Sequence, residues 1–340
     1  MRNKMILAPV LAFAAAALIT TTIAQAAPGD RFRERIRARM AQRMQGQDAQ
    51  VPRLAPAKTF SYGSDPLQKG DLWFPEGHIN DHSAPLIVFV HGGGWKRGSK
   101  DSAASRYAPE HFTRAGYVYA AINYRLVPAA RVEDQAEDVA RAVKALLDDY
   151  KKLGIDPSRV VLTGHSAGAH LVALVGTDEQ YLKKAGLSFA NIRGVIPNDG
   201  AAYDVAGQVA QGGKFMKPTY EQAFGTDPAR QKALSPMLHA AAPNAPDFLL
   251  IHVMRKDGVA QNKGLEAALK AAGTRVERRE FPGEGLQGHA EINRRLGDPD
   301  YAATGAVDVW LKALFSRQAL TGQAAHPHLL PVERGIGVVG

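Results

Sequence analysis

One serine stands in a sequence context that is typical of a catalytic nucleophile. Gly164-His165-Ser166-Ala167-Gly168 has the form G-x-S-x-G, follows the apolar run 160–162 and precedes a helix-like stretch at 169–175. A sharp turn between a strand and a helix exposes the serine hydroxyl, and glycines beside it leave room for the strained backbone. The pattern predicts that Ser166 is a nucleophile.

A serine hydroxyl reacts well only when a base takes its proton and an acid orients that base. In this kind of topology the chain order is serine, acid, histidine. Asp257 follows the apolar run 248–253, and His289 lies in a glycine-rich stretch after the last predicted strand, where we expect a loop. We therefore predict Asp257 as the acid and His289 as the base. Asp199, which follows another predicted strand, is the second choice for the acid.

A glycine-rich segment upstream can supply hydrogen-bond donors to the reacting carbonyl. His91-Gly92-Gly93-Gly94-Trp95 comes directly after the apolar run 86–90. Negative charge develops on the carbonyl oxygen during acyl transfer, and backbone N–H groups must already face it. Three glycines let the backbone approach closely, and the residue after the nucleophile, Ala167, adds a further N–H.

The elements that must position these residues alternate along the chain. Strands are predicted at 71–75, 86–90, 117–122, 160–162, 193–197, 248–253 and 275–281, and helices at 132–153, 263–272 and 306–317. Such alternation predicts an α/β fold, a mainly parallel sheet with helices on both faces. Ligands of such sheets bind outside the carboxyl ends of the strands. The long connection 201–238 is therefore either a small cap over the substrate pocket or a surface excursion packed by its own aromatic residues.

Taken together, these motifs resemble the α/β-hydrolase fold in its hormone-sensitive-lipase-like and feruloyl-esterase-like branch. The matching segments are H-G-G-G-W at 91–95, N-Y-R-L at 123–126, E-D-V-A-R-A at 137–142 and G-H-S-A-G-A-H at 164–170. The resemblance implies a catalytic triad of Ser166, Asp257 and His289, with oxyanion-hole amides from Gly93, Gly94 and Ala167. It also extends to kynurenine formamidases. One departure concerns the acid, because family members carry a glycine before the aspartate and V-P after it.

Composition and the distribution of charge along the chain indicate its domain organisation. The 340 residues contain no cysteine, which excludes disulfides and thiolate metal sites. Of the net charge of +9, +7 falls within residues 1–58, so the folded body is nearly neutral and nucleic-acid binding by it is not expected. We predict a signal peptide at 1–26, a basic linker at 27–56, a catalytic domain at 57–317 and a poorly ordered tail at 318–340.

These features predict an exported, periplasmic or secreted serine carboxylesterase that cleaves a small or aromatic ester. An aryl formamidase and a catalytically silent hydrolase scaffold are the alternatives. No cofactor or metal is predicted, since neither His78 with His82 nor His326 with His328 has further ligands nearby. His165 and His170 flank the serine and are interpreted as packing or cap residues. The cationic linker could make a weak contact with a membrane surface.

Overall fold

The computed structural model describes residues 53–78, 83–101, 106–214 and 216–324, with side chains up to residue 317. The predicted signal peptide at 1–26 and the predicted linker up to residue 52 lie outside the described residues. The last helix continues to Ala324, so it includes the first residues of the predicted tail. The remainder of that tail, 325–340, also lies outside the described residues.

Eight strands within the described part of the chain form one sheet in the order β1-β2-β4-β3-β5-β6-β7-β8. The pairs β1–β2 and β2–β4 are antiparallel, and all other neighbours are parallel. The strands are β1 Lys58–Ser61, β2 Lys69–Trp73, β3 Ala84–Val90, β4 Val118–Ile122, β5 Ile155–His165, β6 Gly194–Asn198, β7 Asp247–Val253 and β8 Arg275–Phe281. The predicted α/β architecture is confirmed.

Helices cover both faces of this sheet. In chain order they are α1 Ala108–Arg114, α2 Val132–Asp148, α3 Tyr150–Leu153, α4 Ala167–Thr177, α5 Gln180–Lys184, α6 Val205–Gln211, α7 Lys217–Phe224, α8 Pro228–Ala233, α9 Pro236–His239, α10 Lys256–Ala271, α11 Gly285–Arg294 and α12 Ala302–Ala324. A short 3₁₀ turn at Phe189–Asn191 precedes β6. The connection 201–238 thus consists largely of four short helices, α6 to α9.

The central strands are apolar because both of their faces are covered. Every residue of β3, β4, β6 and β7 is buried, which explains their nearly continuous apolar sequences. Side chains alternate between two hydrophobic clusters, one on each face of the sheet. Helix α4 is buried along its whole length, so the element that follows Ser166 is held rigidly in the core.

The predicted functional residues follow parallel strands and therefore lie at one edge of the sheet. The glycine-rich segment follows β3, Ser166 follows β5, Asp199 follows β6 and His289 lies beyond β8. Since the carboxyl ends of parallel strands lie at the same edge of a sheet, residues far apart in sequence meet there. The fold therefore brings these four segments together at the carboxyl edge of the sheet.

An ion pair buried beneath this edge stabilises the connection after β4. The carboxylate of Asp138 is fully buried and accepts hydrogen bonds from Arg125 Nη2 at 2.7 Å and Nε at 2.9 Å, and from Gln68 Nε2 at 2.8 Å. It also accepts one from the backbone N–H of Arg125 at 3.0 Å. Removing one partner of such a pair leaves buried polar groups without partners, which is costly.

We expect Asp138→Ala to lower the free energy of unfolding by about 3–5 kcal/mol. Urea unfolding followed by circular dichroism measures this change. The control is Asp148→Ala on the same helix, whose ion pair with Lys144 is exposed and should contribute less than about 0.5 kcal/mol. Equal effects of the two substitutions would contradict a structural role for the buried pair.

Among the described residues, no helix has both the length and the apolar character that crossing a membrane requires.

Candidate active site

Ser166 occupies a strained turn between β5 and α4. Its φ and ψ are 56° and −115°, a conformation that is unfavourable for a residue with a side chain. The surrounding backbone is packed closely: a methyl group on Gly168 would lie 2.1 Å from the carbonyl oxygen of Val90, and one on Gly164 would lie 2.4 Å from that of Gly168. The two glycines of the motif are therefore sterically required, and the turn has the geometry of a nucleophile elbow.

The glycine-rich segment lies directly against this turn. A methyl group on Gly92 would sit 2.8 Å from the carbonyl oxygen of His165 and 3.0 Å from Cβ of Ser166, so only a residue without a side chain allows this close approach. Gly93 and Gly94 have φ values of 128° and 63°, which L side chains rarely adopt. The segment is anchored at both ends. The Tyr124 hydroxyl donates to the carbonyl of His91 at 2.9 Å, and the Gln135 side chain donates to the carbonyl of Trp95 at 2.7 Å.

His289 is held by Asp199. Its Nδ1 lies 2.5 Å from Oδ2 of Asp199, whose side chain is fully buried, whereas the His289 side chain is 17% exposed. Burial opposes the charge on Asp199, but the bond to His289 and the nearby guanidinium of Arg255 outweigh it and lower the pKa of Asp199 to about 2. The carboxylate is therefore ionised at neutral pH. Because Nδ1–H of His289 donates to this carboxylate, Nε2 is the ring nitrogen that can exchange a proton with substrate.

In the structure His289 pairs with Asp199 and not with Asp257, the predicted acid. Asp257 lies in the first turn of α10, and its Oδ2 accepts from Arg255 Nη1 at 2.7 Å and from Gln208 Nε2 at 3.2 Å. The carboxylate on His289 belongs to Asp199, which follows β6 instead of β7. Asp199 has a φ of 46°, a left-handed conformation that aspartate tolerates, and its N–H donates to the carbonyl of Ile251 at 2.7 Å. This turn directs the side chain toward His289.

A second difference concerns the element that carries His289. We expected a loop, but His289 lies in helix α11, Gly285–Arg294. Gly283, which precedes the helix, and Gly285, its first residue, have φ values of 138° and 52°, so these two glycines form the turn that leads into it. His289 is thus presented by a helix, which is a more rigid support than a loop.

His165, the residue before the serine, also contacts His289. Its Nε2 lies 2.9 Å from the carbonyl oxygen of His289, and the two ring centroids are 4.4 Å apart. Burial and the neighbouring His289 lower the pKa of His165 to about 3, so its ring is neutral and its Nε2–H donates to that carbonyl. The sequence led us to interpret His165 as a packing or cap residue and did not show that it links the turn at Ser166 to His289.

The insertion α6–α9 packs onto the glycine-rich segment. The ring of Trp95 lies 4.6 Å from that of Phe224 and 6.1 Å from that of Tyr220, both on α7. Nε1–H of Trp95 donates to Nδ1 of His170 at 3.3 Å, and Nε2–H of His170 donates to the carbonyl of Leu234 at 2.9 Å. These contacts attach the insertion to both the glycine-rich segment and helix α4, as a cap over the site would require.

Three buried histidines around the site predict how stability depends on pH. Burial lowers the pKa of His91 and His170 to about 4 and that of His165 to about 3, well below the value near 6.5 of an unfolded chain. Between these values the unfolded chain binds protons that the folded protein does not, so the free energy of unfolding falls as the pH falls from about 6.5 to 4.

We expect each of these histidines to contribute up to about 1.4 kcal/mol per pH unit to that slope. Urea unfolding at pH 7.0, 6.0 and 5.0 measures it. His170→Gln should reduce the slope by about one proton. Ser316→Ala, which changes an exposed position and no titratable group, should leave the slope unchanged. An identical slope in wild type and His170→Gln would refute the assignment.

Among the described residues, no group of three or more His, Asp or Glu side chains is arranged so that it could hold a metal ion. The arrangement assembled here consists instead of a strained serine, a histidine held by a buried carboxylate, and a glycine-rich backbone segment. These are the components of nucleophilic catalysis through a covalent intermediate.

Comparison with known proteins agrees with this geometry. The sequence model of the BD-FAE family matches residues 71–269. An isoprenylcysteine alpha-carbonyl methylesterase of Arabidopsis thaliana is 31% identical over 34% of this chain, and neutral cholesterol ester hydrolase 1 of Mus musculus is 32% identical over 41%. A kynurenine formamidase of Danio rerio is 32% identical over 34%. The matched segments cover 26%, 32% and 36% of these three relatives, so this chain spans only about a third or less of each.

Solved structures give the same fold. Esterase B of Lactobacillus rhamnosis superposes with a TM-score of 0.68 at 20% identity, covering 86% of this chain and 98% of that one. Est2 of Thermogutta terrifontis superposes with a TM-score of 0.55 at 26% identity, covering 68% and 83%. The predicted resemblance to α/β-hydrolase esterases is confirmed at the level of fold and family.

Proposed function

Since the chain belongs to the BD-FAE family, we propose that it is a serine carboxylesterase with Ser166 as nucleophile, His289 as base and Asp199 as acid. One observation carries the proposal. A serine in a strained elbow lies beside a glycine-rich backbone segment, at the same sheet edge as a histidine that is hydrogen-bonded to a buried carboxylate. Each component has little purpose without the others.

The proposed reaction proceeds through an acyl-enzyme. Nε2 of His289 takes the hydroxyl proton of Ser166 while Oγ attacks the ester carbonyl carbon, which produces a tetrahedral oxyanion. Collapse breaks the bond to the alcohol oxygen, and His289 returns the proton to that oxygen. Water, deprotonated by His289, then attacks the acyl-enzyme and releases the acid and Ser166. Throughout, Asp199 holds the tautomer of His289 and stabilises its charged form.

The oxyanion would be stabilised by backbone N–H groups of Gly93, Gly94 and Ala167. Ala167 is the first residue of α4, so its N–H belongs to a helix N-terminus, where such groups have no partner within the helix. The anchors from Tyr124 and Gln135 fix the glycine-rich segment before substrate arrives. Donors that need no reorganisation stabilise transition-state charge most effectively.

For the substrate we propose a small or aromatic ester. The named relatives include esterases and a kynurenine formamidase, and a formamide carbonyl can be attacked by the same serine. Aryl formamidase activity is therefore the second candidate. A scaffold without activity is the third, and the intact elbow and His289–Asp199 pair count against it.

We propose that residues 1–26 direct export and are removed, and that the cationic linker contacts anionic membrane surfaces weakly. N-terminal sequencing of protein recovered from the periplasm, and sedimentation with anionic vesicles, test the two statements separately.

Active-site labelling combined with a substrate panel tests the proposed activity. A fluorophosphonate probe should label the protein at Ser166, as identified by peptide mass spectrometry, and pretreatment should abolish turnover of p-nitrophenyl esters. Including an N-formyl arylamine in the panel separates the esterase from the formamidase. Absence of both labelling and turnover would favour the inactive scaffold.

A further inference from the structure

The cationic side chain of Arg255 contacts the carboxylate of Asp199, which is hydrogen-bonded to His289. Arg255 follows β7, and its side chain is only 16% exposed. Its Nε lies 3.4 Å from Oδ2 of Asp199, and its Nη2 donates to the backbone carbonyl of the same residue at 3.2 Å. The other carboxylate oxygen, Oδ1, accepts the N–H of Val253 at 3.2 Å. Asp199 is thus fixed from three sides, and Arg255 supplies the only formal charge among these donors.

The guanidinium of Arg255 is bound by Asp257, which in turn contacts the insertion. Its Nη1 donates to Oδ2 of Asp257 at 2.7 Å, and that oxygen also accepts from Gln208 Nε2 on α6 at 3.2 Å. Gln208 Nε2 further contacts the hydroxyl of Tyr220 at 3.0 Å. The ring of Tyr220 packs against Trp95 of the glycine-rich segment. A continuous set of contacts therefore runs from Asp199 through Arg255 and Asp257 to the insertion.

We propose that Arg255 is a positioning residue for Asp199 and that Asp257 holds Arg255 in place, an inference that rests on the proposed triad. A buried carboxylate loses its hydration and is stabilised by a fixed opposite charge. Arginine suits this position because its planar fork can bond a carboxylate, a carbonyl and a second carboxylate at once. Asp257, which the sequence analysis predicted as the acid, thus acts on His289 indirectly, through Arg255 and Asp199.

Electrostatics gives this proposal a signature that a purely structural role lacks. The positive charge of Arg255 disfavours a protonated imidazole nearby, and the negative charge of Asp257 favours it. Activity requires the neutral imidazole, so removing the two charges should move the acid limb of the pH–rate profile in opposite directions. The other titratable or charged groups near Asp199, Arg255 and Asp257 are His165, Tyr203, Tyr220, His252 and Tyr301, with Glu291 and Arg294 beside Tyr301. None of these residues is replaced in the variants.

The experiment compares kcat/KM for p-nitrophenyl acetate against pH in the wild type, Arg255→Met, Arg255→Lys and Asp257→Asn. Arg255→Met should lower kcat about 10- to 100-fold, as expected for a displaced catalytic pair. It should also raise the midpoint of the acid limb by about half a pH unit or more. Arg255→Lys should restore the midpoint but only part of kcat, and Asp257→Asn should lower the midpoint.

Arg275→Met is the control, because Arg275 also bonds a buried aspartate: its Nε and Nη2 donate to the carboxylate of Asp247 at the opposite end of β7. Its acid limb should coincide with that of the wild type. The proposal is overturned if Arg255→Met keeps the wild-type midpoint or if Arg255→Met and Asp257→Asn shift it in the same direction. Should Arg255→Met fail to fold, a wild-type midpoint with reduced kcat in Arg255→Lys together with a lowered midpoint in Asp257→Asn supports the proposal, and an unchanged or raised midpoint in Asp257→Asn overturns it. A wild type that hydrolyses no ester refutes the proposed function instead.

Discussion

Replacing Ser166 by alanine should lower kcat for p-nitrophenyl acetate by about 10⁵- to 10⁶-fold, the loss typical of a serine nucleophile. The methyl group cannot form the acyl-enzyme, so only binding and the backbone donors of the glycine-rich segment remain. Steady-state hydrolysis and fluorophosphonate labelling measure the loss directly. Both should disappear together, since both depend on the same oxygen atom.

The backbone at Ser166 provides an internal control for this variant. The φ of 56° at this position is unfavourable for alanine, as it is for serine, and less so for glycine. Ser166→Gly should therefore unfold at a higher urea concentration than Ser166→Ala, and both variants should be equally inactive. Ser316→Ala, at an exposed helical position, should keep wild-type activity. If Ser166→Ala hydrolysed the ester at a rate near that of the wild type, another residue would have to be the nucleophile.

The order of the elements could be predicted because burial leaves clear marks in the sequence. The run 86–90 contains no polar residue, and it corresponds to the fully buried β3. Gly164, Ser166 and Gly168 were predictable for a similar reason, since the turn tolerates no larger side chain at the glycines. Where steric necessity restricts a position to one residue type, sequence alone identifies it.

The acid could not be predicted with the same security, because two aspartates follow two neighbouring parallel strands. Sequence places Asp199 and Asp257 at the same sheet edge but does not give the direction of either side chain. The decisive features are the left-handed turn at Asp199 and the contact between Arg255 and Asp257, and both depend on tertiary structure. One signal was available: Asp199 stands between Asn198 and Gly200, in a segment favourable for a left-handed turn after a buried strand.

Asp199→Asn should lower kcat about 10⁴-fold, whereas Asp257→Asn should lower it less than about 10-fold. The carboxylate of Asp199 accepts from Nδ1 of His289 at 2.5 Å, and an amide in its place can donate to that atom and stabilise the wrong tautomer. Asp257 contacts Arg255 and Gln208 but not His289, so its replacement acts only through Arg255. Steady-state kinetics at pH 8 measures both losses.

Asp300→Asn, at an exposed position, is the matched control and should leave kcat unchanged. Unfolding in urea should be compared for all three variants, because the buried Asp199 also contributes to stability. Its pKa of about 2 lies below that of an unfolded aspartate, so this contribution is present above about pH 4 and is lost as the pH falls toward 2. At pH 8 a loss of activity in folded Asp199→Asn therefore reports on orientation of His289. The opposite ranking of the two variants would return the role of acid to Asp257.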